Sequence, residues 1–262
     1  MPARPVAIGF GVLLSLTLAS AAPVQKPLFT DAFAPAEFAA RRAAVMRAVG
    51  DGVAIISGAT EQPNYEKFKQ NKQFFYLSGV EVPRAILLID GRAKTSTLFL
   101  PPQNAGMERS EGPVLVPGAE AARLTGLERV ADRATFDAAL AAVAAERRPI
   151  HVPFRRESIG AVAVDRVRAH DRATAGDPWD GRPSKEAVFR EKVQAAAPGS
   201  EVADLDPILD DLRLVKSPAE IALVREATRI ASLALREGMQ AARPGMYEYE
   251  IEAVADYVFK RH

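Results

Sequence analysis

The spacing of apolar residues changes several times along the chain, and each change predicts an element. "PAEFAARRAAVMRAVG" (35–50) sets Phe38, Ala39, Ala43, Val45 and Met46 at helical spacing and stops at Gly50, which predicts an amphipathic helix. Four short apolar runs bounded by turn residues follow: "GVAIISG" (52–58), "QFFYLSG" (73–79), "RAILLID" (84–90) and "TSTLFL" (95–100), each predicting a strand. "DGRAKT" (90–95), with Asp-Gly at its head, predicts a hairpin turn between the last two. Helical spacing returns over 118–125 and 135–145, a strand follows in "PIHVPF" (149–154), and "SKEAVFREKVQAAAPG" (184–199) reads as a helix. "TAGDPWDGRPS" (174–184) reads as a surface loop.

A second pattern starts after residue 203. Ser217 is placed as an N-cap, Pro218 at the first helical position, and Glu220 completes a capping box. Ile221, Val224, Ala227, Ala231 and Leu235 then form a helical stripe, with Gly238 as the expected stop. A turn at "RPGM" leads to a last helix with Ile251, Val254, Val258 and Phe259 on one side. Two helices alone bury too little apolar surface to stand as a domain. Either they lie back on the preceding domain, or further chain completes theirs.

Composition adds little to this division. The chain has 262 residues, 48% of them hydrophobic and 26% charged, with a formal charge of +1 and no cysteine. That balance gives no electrostatic footprint for nucleic acid or an anionic membrane. The first residues are distinct: Arg4 precedes an apolar run from Val6 to Leu18, and "ASAAP" supplies small residues for signal-peptidase cleavage after Ala21 or Ala22. The run is shorter than a spanning helix needs. Residues 1–22 are therefore expected to be an export signal, giving a periplasmic or secreted protein with no stable membrane span.

Catalytic spacings are absent from the sequence: there is no H-E-x-x-H, G-x-S-x-G, phosphate-binding loop or cysteine nucleophile. His151 lies on an apolar strand and reads as a hydrogen-bonded core histidine instead of a ligand. His170 and Asp171 fall in a charged run expected to be solvated. Asp206 and Asp210 stand at i, i+4 and have the spacing to share a cation, although acids complementing a helix dipole are the better reading.

Three stretches do resemble a known family. "LRLVKSPAEIALVREA" followed by "ARPGMYEYEIEA" is similar to the start of the catalytic domain of Xaa-Pro aminopeptidases (aminopeptidase P), which belong with prolidase and methionine aminopeptidase to the pita-bread metallopeptidases. "FKQNKQFFYLSGVEVPRAILLID" resembles the family's N-terminal Arg-Gln-(Asn/Asp)-Ser-Asp-Phe motif. It keeps Gln70, Asn71, Phe74, Tyr76 and Gly79, but has Lys69 for Arg and Lys72-Gln73 for Ser-Asp. "AEFAARRAAVM" resembles the opening helix. The resemblance implies a creatinase-like α/β domain, a mixed sheet with flanking helices, over 31–203. A linker (204–216) would follow, and then the first two helices of a truncated pita-bread (α+β) domain over 217–262.

It also implies chemistry that these residues do not carry. In the family, two Asp, one His and two Glu hold a pair of divalent ions, usually manganese, around a bridging hydroxide. None of those ligands corresponds to a position in this chain, so the chain by itself is expected to be inactive and to bind no metal. The implied partners are peptides with proline in second position and further copies of the chain, as a dimer or tetramer. Phe74, Phe75 and Tyr76 match an aromatic stretch that approaches a neighbouring subunit's active site, and are the substrate-adjacent candidates. On a strand Phe74 and Tyr76 would share one face, leaving Phe75 as the best single choice. A non-catalytic peptide-binding module, or a prolidase-type fragment, is the alternative.

Overall fold

The computed structural model describes residues 28–61, 67–157 and 163–262; the expected export signal lies outside them. In chain order the elements are α1 (Pro35–Val49), β1 (Val53–Ser57), α2 (Lys72–Ser78), β2 (Ile86–Asp90), β3 (Thr95–Leu100), α3 (Ala105–Glu111), α4 (Ala119–Thr125) and β4 (Arg129–Asp132). Then come α5 (Phe136–Ala145), β5 (Ile150–Val152), α6 (Val164–Gly176), α7 (Lys185–Ala196), β6 (Val202–Asp204), α8 (Asp206–Leu214), α9 (Pro218–Ala241) and α10 (Glu248–Arg261).

The six strands form one mixed sheet in the order β4-β3-β2-β1-β5-β6. β1, β2 and β3 run antiparallel to their neighbours within that trio, whereas β4, β5 and β6 are added in parallel. Successive side chains of a strand face opposite sides, so a strand covered on both sides reads as an unbroken apolar run. That is what "VAIIS" and "ILLID" do. Ala54, Ile56, Leu87, Ile89, Leu98 and Leu100 enter one core with residues of α1, α2 and α8. Val53, Ile55, Ile86, Leu88 and Phe99 enter the opposite core with Phe136, Leu140 and Val143 of α5 and Val193 of α7.

The hairpin is where the sequence put it. Asp90 Oδ1 accepts from the backbone N–H groups of Arg92 (2.9 Å) and Ala93 (2.8 Å), and the Asp90 carboxylate takes both terminal nitrogens of Arg148 at 2.8 and 2.5 Å. Arg148 also donates to the carbonyls of Asp51 and Gly52, so one guanidinium joins the hairpin to the α1–β1 turn.

Three expectations are corrected. "QFFYLSG" is helical, not a strand. The segment expected to be a linker starts on the last residue of β6, which pairs with β5, and contains α8, whose Leu209 lies with Leu205 fully buried in the first core. Helix α9 runs past Gly238 to Ala241; a Cβ at Gly238 would stand 3.4 Å from Ile251 Cγ2, so the glycine lets α10 approach instead of ending the helix.

The α9–α10 pair has the expected capping box at Ser217 and Glu220 and packs mainly helix against helix. Its outer apolar residues are uncovered: Val224 is 56% exposed, Leu235 70% and Met239 79%. The lone tryptophan, Trp179, is 97% exposed on a tight turn held by Asp177 Oδ1, which accepts from the Trp179 N–H at 2.8 Å.

If α8 is part of the core, Leu209→Ala costs about 2–5 kcal/mol of stability in urea unfolding. A loss within about 0.5 kcal/mol, as at an exposed linker position, would show that α8 does not belong to it.

Candidate functional site

The substrate-adjacent candidates sit on α2, and four buried contacts fix that helix. Gln70 is almost fully buried. Its Oε1 accepts from the N–H groups of Ala59 (2.6 Å) and Asn71 (3.0 Å), and its Nε2 donates to the carbonyls of Val80 (3.2 Å) and Val82 (3.0 Å). One amide thus joins the exit of β1, the start of α2 and the segment after α2. Asn71, the N-cap residue, spends its side chain on the Ser57 carbonyl at 2.9 Å and leaves the helix start uncapped. The Glu157 carboxylate fills that role by accepting from the backbone N–H groups of Gln73 and Lys72. At the other end the buried Arg42 guanidinium donates to the carbonyls of Leu77 (3.1 Å) and Gly126 (2.8 Å), near the C-termini of α2 and α4.

An isolated helix of seven residues is not stable in water. Here an anion at its N-terminus and a cation at its C-terminus both complement the helix dipole. Gly79 closes it in the left-handed region at φ 68°, with its N–H on the Phe75 carbonyl at 2.8 Å. A Cβ there would lie 2.6 Å from the Phe38 ring, so no other residue fits.

The helix changes which aromatic faces what. Residues two apart on a helix point about 200° apart, so Phe74 and Tyr76 do not share a face. Phe74 is fully buried in the core. Phe75 and Tyr76 are half-buried and line a pocket of about 320 Å³ between α1, α2 and the α8–α9 junction. On the helix it is Phe75 and Tyr76, and not Phe74, that reach this pocket.

Charge dominates the pocket wall. Arg41 donates to the Tyr76 carbonyl (3.0 Å) and to Glu37 (3.1 Å), lies 3.4 Å from Glu220 of α9, and sits 4.2 Å above the Tyr76 ring. The Tyr76 hydroxyl donates to the Leu212 carbonyl at 3.0 Å, and burial pushes its pKa up. Arg213 lies over the same ring at 5.6 Å. Neither Arg41 nor Arg213 was singled out in the sequence. Glu37, four residues before Arg41 on the helix predicted for 35–50, is the one local signal.

The acidic candidates have structural partners. Asp206 accepts from Gln73 Nε2 (3.0 Å) and from the backbone N–H groups of Phe154 (3.0 Å) and Arg155 (2.7 Å). Asp210 takes the Arg155 guanidinium at 2.9 and 2.7 Å. Arginine, not a shared metal ion, is the cation between them. Asp171 pairs with Arg156 at 2.9 Å and so is not merely solvated. His151 is half-buried on β5, but its buried Nδ1 makes no hydrogen bond among the described residues, unlike the bonded core histidine expected. Among the described residues no group of three or more His, Asp or Glu is placed to hold a metal ion, so the implied metal pair does not fit them.

Residues 38–152 match the profile of the aminopeptidase P N-terminal domain. This chain carries the N-terminal domain of the Xaa-Pro aminopeptidase family. An Xaa-Pro aminopeptidase of Haemophilus influenzae is 28% identical over 197 residues, 74% of this chain and 39% of that protein. Aminopeptidase P from E. coli with the inhibitor Pro-Leu superposes at TM-score 0.64 and 23% identity, covering 88% of this chain and 50% of that one. The zinc-substituted E. coli enzyme with product superposes at 0.63 and 24%, with the same coverage. The chain therefore spans about two-fifths to half the length of these relatives, and the likeness to the solved structures concerns the fold.

Two outcomes follow from the anchoring of α2. Gln70→Ala leaves two backbone N–H groups and two carbonyls without their partner and costs at least about 1–3 kcal/mol, measured by urea unfolding; a neutral result would show that the amide does not hold the segment. The second outcome concerns pH. Burial raises the Glu157 carboxyl, with the nearby Glu186 carboxylate adding to it. A raised folded-state pKa means that the folded protein holds the proton more tightly than the unfolded chain, whose glutamates titrate near about 4.3. Stability from this group is then present at low pH and declines as pH climbs from that value through the raised one. Glu157→Gln removes that decline, so its stability relative to the parent chain improves as pH rises; the opposite slope would refute the assignment.

Proposed function

We propose that this chain is the N-terminal portion of an exported Xaa-Pro aminopeptidase, which removes the first residue of peptides with proline in second position. The observation that carries this reading is the match of residues 38–152 to the aminopeptidase P N-terminal domain, continued by a fold that superposes on half of an aminopeptidase P. The uncovered apolar side of α9 supports it, since exposed patches of this kind mark surfaces that another segment covers. On this reading α9 and α10 are the first helices of the catalytic domain, and residues beyond them complete it. Those residues hold the two divalent ions, proposed to be manganese, that lower the pKa of a bridging water and polarise the peptide carbonyl.

The domain described here has two roles in this assignment. It seats the catalytic domain through Arg41–Glu220, beside the Tyr76–Leu212 contact that holds α8, and it presents Phe75 and Tyr76 to substrate in a homo-oligomer. Residues 1–22 act as the export signal.

The test is enzymatic. The protein expressed from the full reading frame, supplied with manganese, is expected to release the first residue of an Xaa-Pro peptide and to spare the same peptide with alanine in place of proline. The 262-residue chain is expected to release none. Cleavage by the 262-residue chain alone, or none by the full-length protein, would overturn the reading.

A further inference from the structure

The arginines around α8 differ in one respect. Arg155 is held by Asp210, Arg156 by Asp171, and Arg41 by Glu37 and Glu220. Arg213, at the end of α8, is half-buried and makes no side-chain hydrogen bond or close ion pair among the described residues; the Glu157 and Asp210 carboxylates act on it only from a distance, and it lies over the Tyr76 ring at 5.6 Å. Stacking on an aromatic face holds the plane of a guanidinium and leaves its edge N–H groups for an acceptor. Around it the wall is positive. Lys72 and Lys216 line the same pocket, and its one acid, Glu220, is already engaged by Arg41. The Lys216 ammonium is fixed near the pocket by donating to the carbonyls of Arg213 and Leu214. The floor is the apolar surface of Phe75 and Tyr76, in a volume of about 320 Å³, enough for a few residues' worth of atoms.

We propose that this pocket is an oxyanion subsite, in which Arg213 takes the C-terminal carboxylate of a short peptide while Phe75 and Tyr76 take the apolar side chain beside it. A bare phosphate shares the oxyanion chemistry but makes no use of the aromatic floor, which is why the peptide is assigned. The inference deepens the aminopeptidase reading by naming a class of substrate: short peptides with a free C-terminus and an apolar last residue. It rests on that reading only for the word substrate, because the binding is a property of these 262 residues.

Isothermal titration of the 262-residue chain at low salt tests it with three probes: Ala-Pro-Phe with a free carboxylate, its C-terminal amide, and inorganic phosphate. The free acid is expected to bind about tenfold or more tightly than the amide, the discrimination of a hydrogen bond to a charged group, and more tightly than phosphate. Arg213→Gln is expected to bring the acid down to the level of the amide. Arg213→Lys, which keeps the charge but not the planar fork, should fall between them. Lys216→Gln, at an exposed position, gives a second variant that folds independently of the Tyr76 stack, and it should weaken the acid by a smaller factor. Equal binding of acid and amide, or no binding of either, would overturn the subsite. Phosphate binding as tightly as the acid would overturn the peptide assignment. None of these failures touches the cleavage assay of the full-length protein, so the two readings stand or fall separately.

Discussion

A buried amide sets the geometry on which the pocket depends. Gln70 has two donor positions and two acceptor positions, and all four are engaged with backbone from three segments of the chain. Burying such a group with any of these unmet is costly, whereas a fully satisfied amide in a low-dielectric interior fixes its neighbours in one arrangement. The chain leaving β1, the start of α2 and the segment from Val80 to Val82 are located by that arrangement. Asparagine at the same position is too short to span them.

From this point the electrostatics extend outward. Glu157 and Arg42 bracket the dipole of α2, and the latter is an arginine whose burial lowers its pKa while Glu128 opposes the shift. Tyr76 then projects from α2 to the carbonyl of Leu212, and Arg41 crosses from α1 to Glu220. The contact from α1 to α9 is thus a polar one on a partly exposed surface. Contacts of this kind orient more than they stabilise. They suit a joint whose geometry matters more than its strength.

Much of the sheet was legible in the sequence because burial on both sides writes itself as continuous apolar residues. β4 and β6 were not, since "RVAD" and "VAD" are short edge strands whose identity comes from pairing. α6 was missed for the opposite reason: none of its residues is buried, so no apolar period marks it. Phe74, Phe75 and Tyr76 carry strand propensity, and the helix they form is decided by Glu157 and Arg42, respectively some 80 and 30 residues away in sequence. In α8 the signal was present, Leu205 and Leu209 at i, i+4, but it was outweighed by the acids between and around them. The pocket arginines left little local trace, Glu37 before Arg41 apart, because Arg41 and Arg213 take their meaning from Tyr76, on a different helix from either.

The turn that holds Trp179 has a consequence for how this protein reports its own state. It carries the chain's one indole, 97% exposed although its backbone is pinned by Asp177. The folded protein therefore already emits as a water-bathed tryptophan, and unfolding changes the surroundings of that ring very little. Loss of the sheet and both its cores would pass almost unseen in tryptophan fluorescence, while the far-ultraviolet dichroism of the helices collapsed. In this molecule a quiet fluorescence trace is no sign of an intact fold.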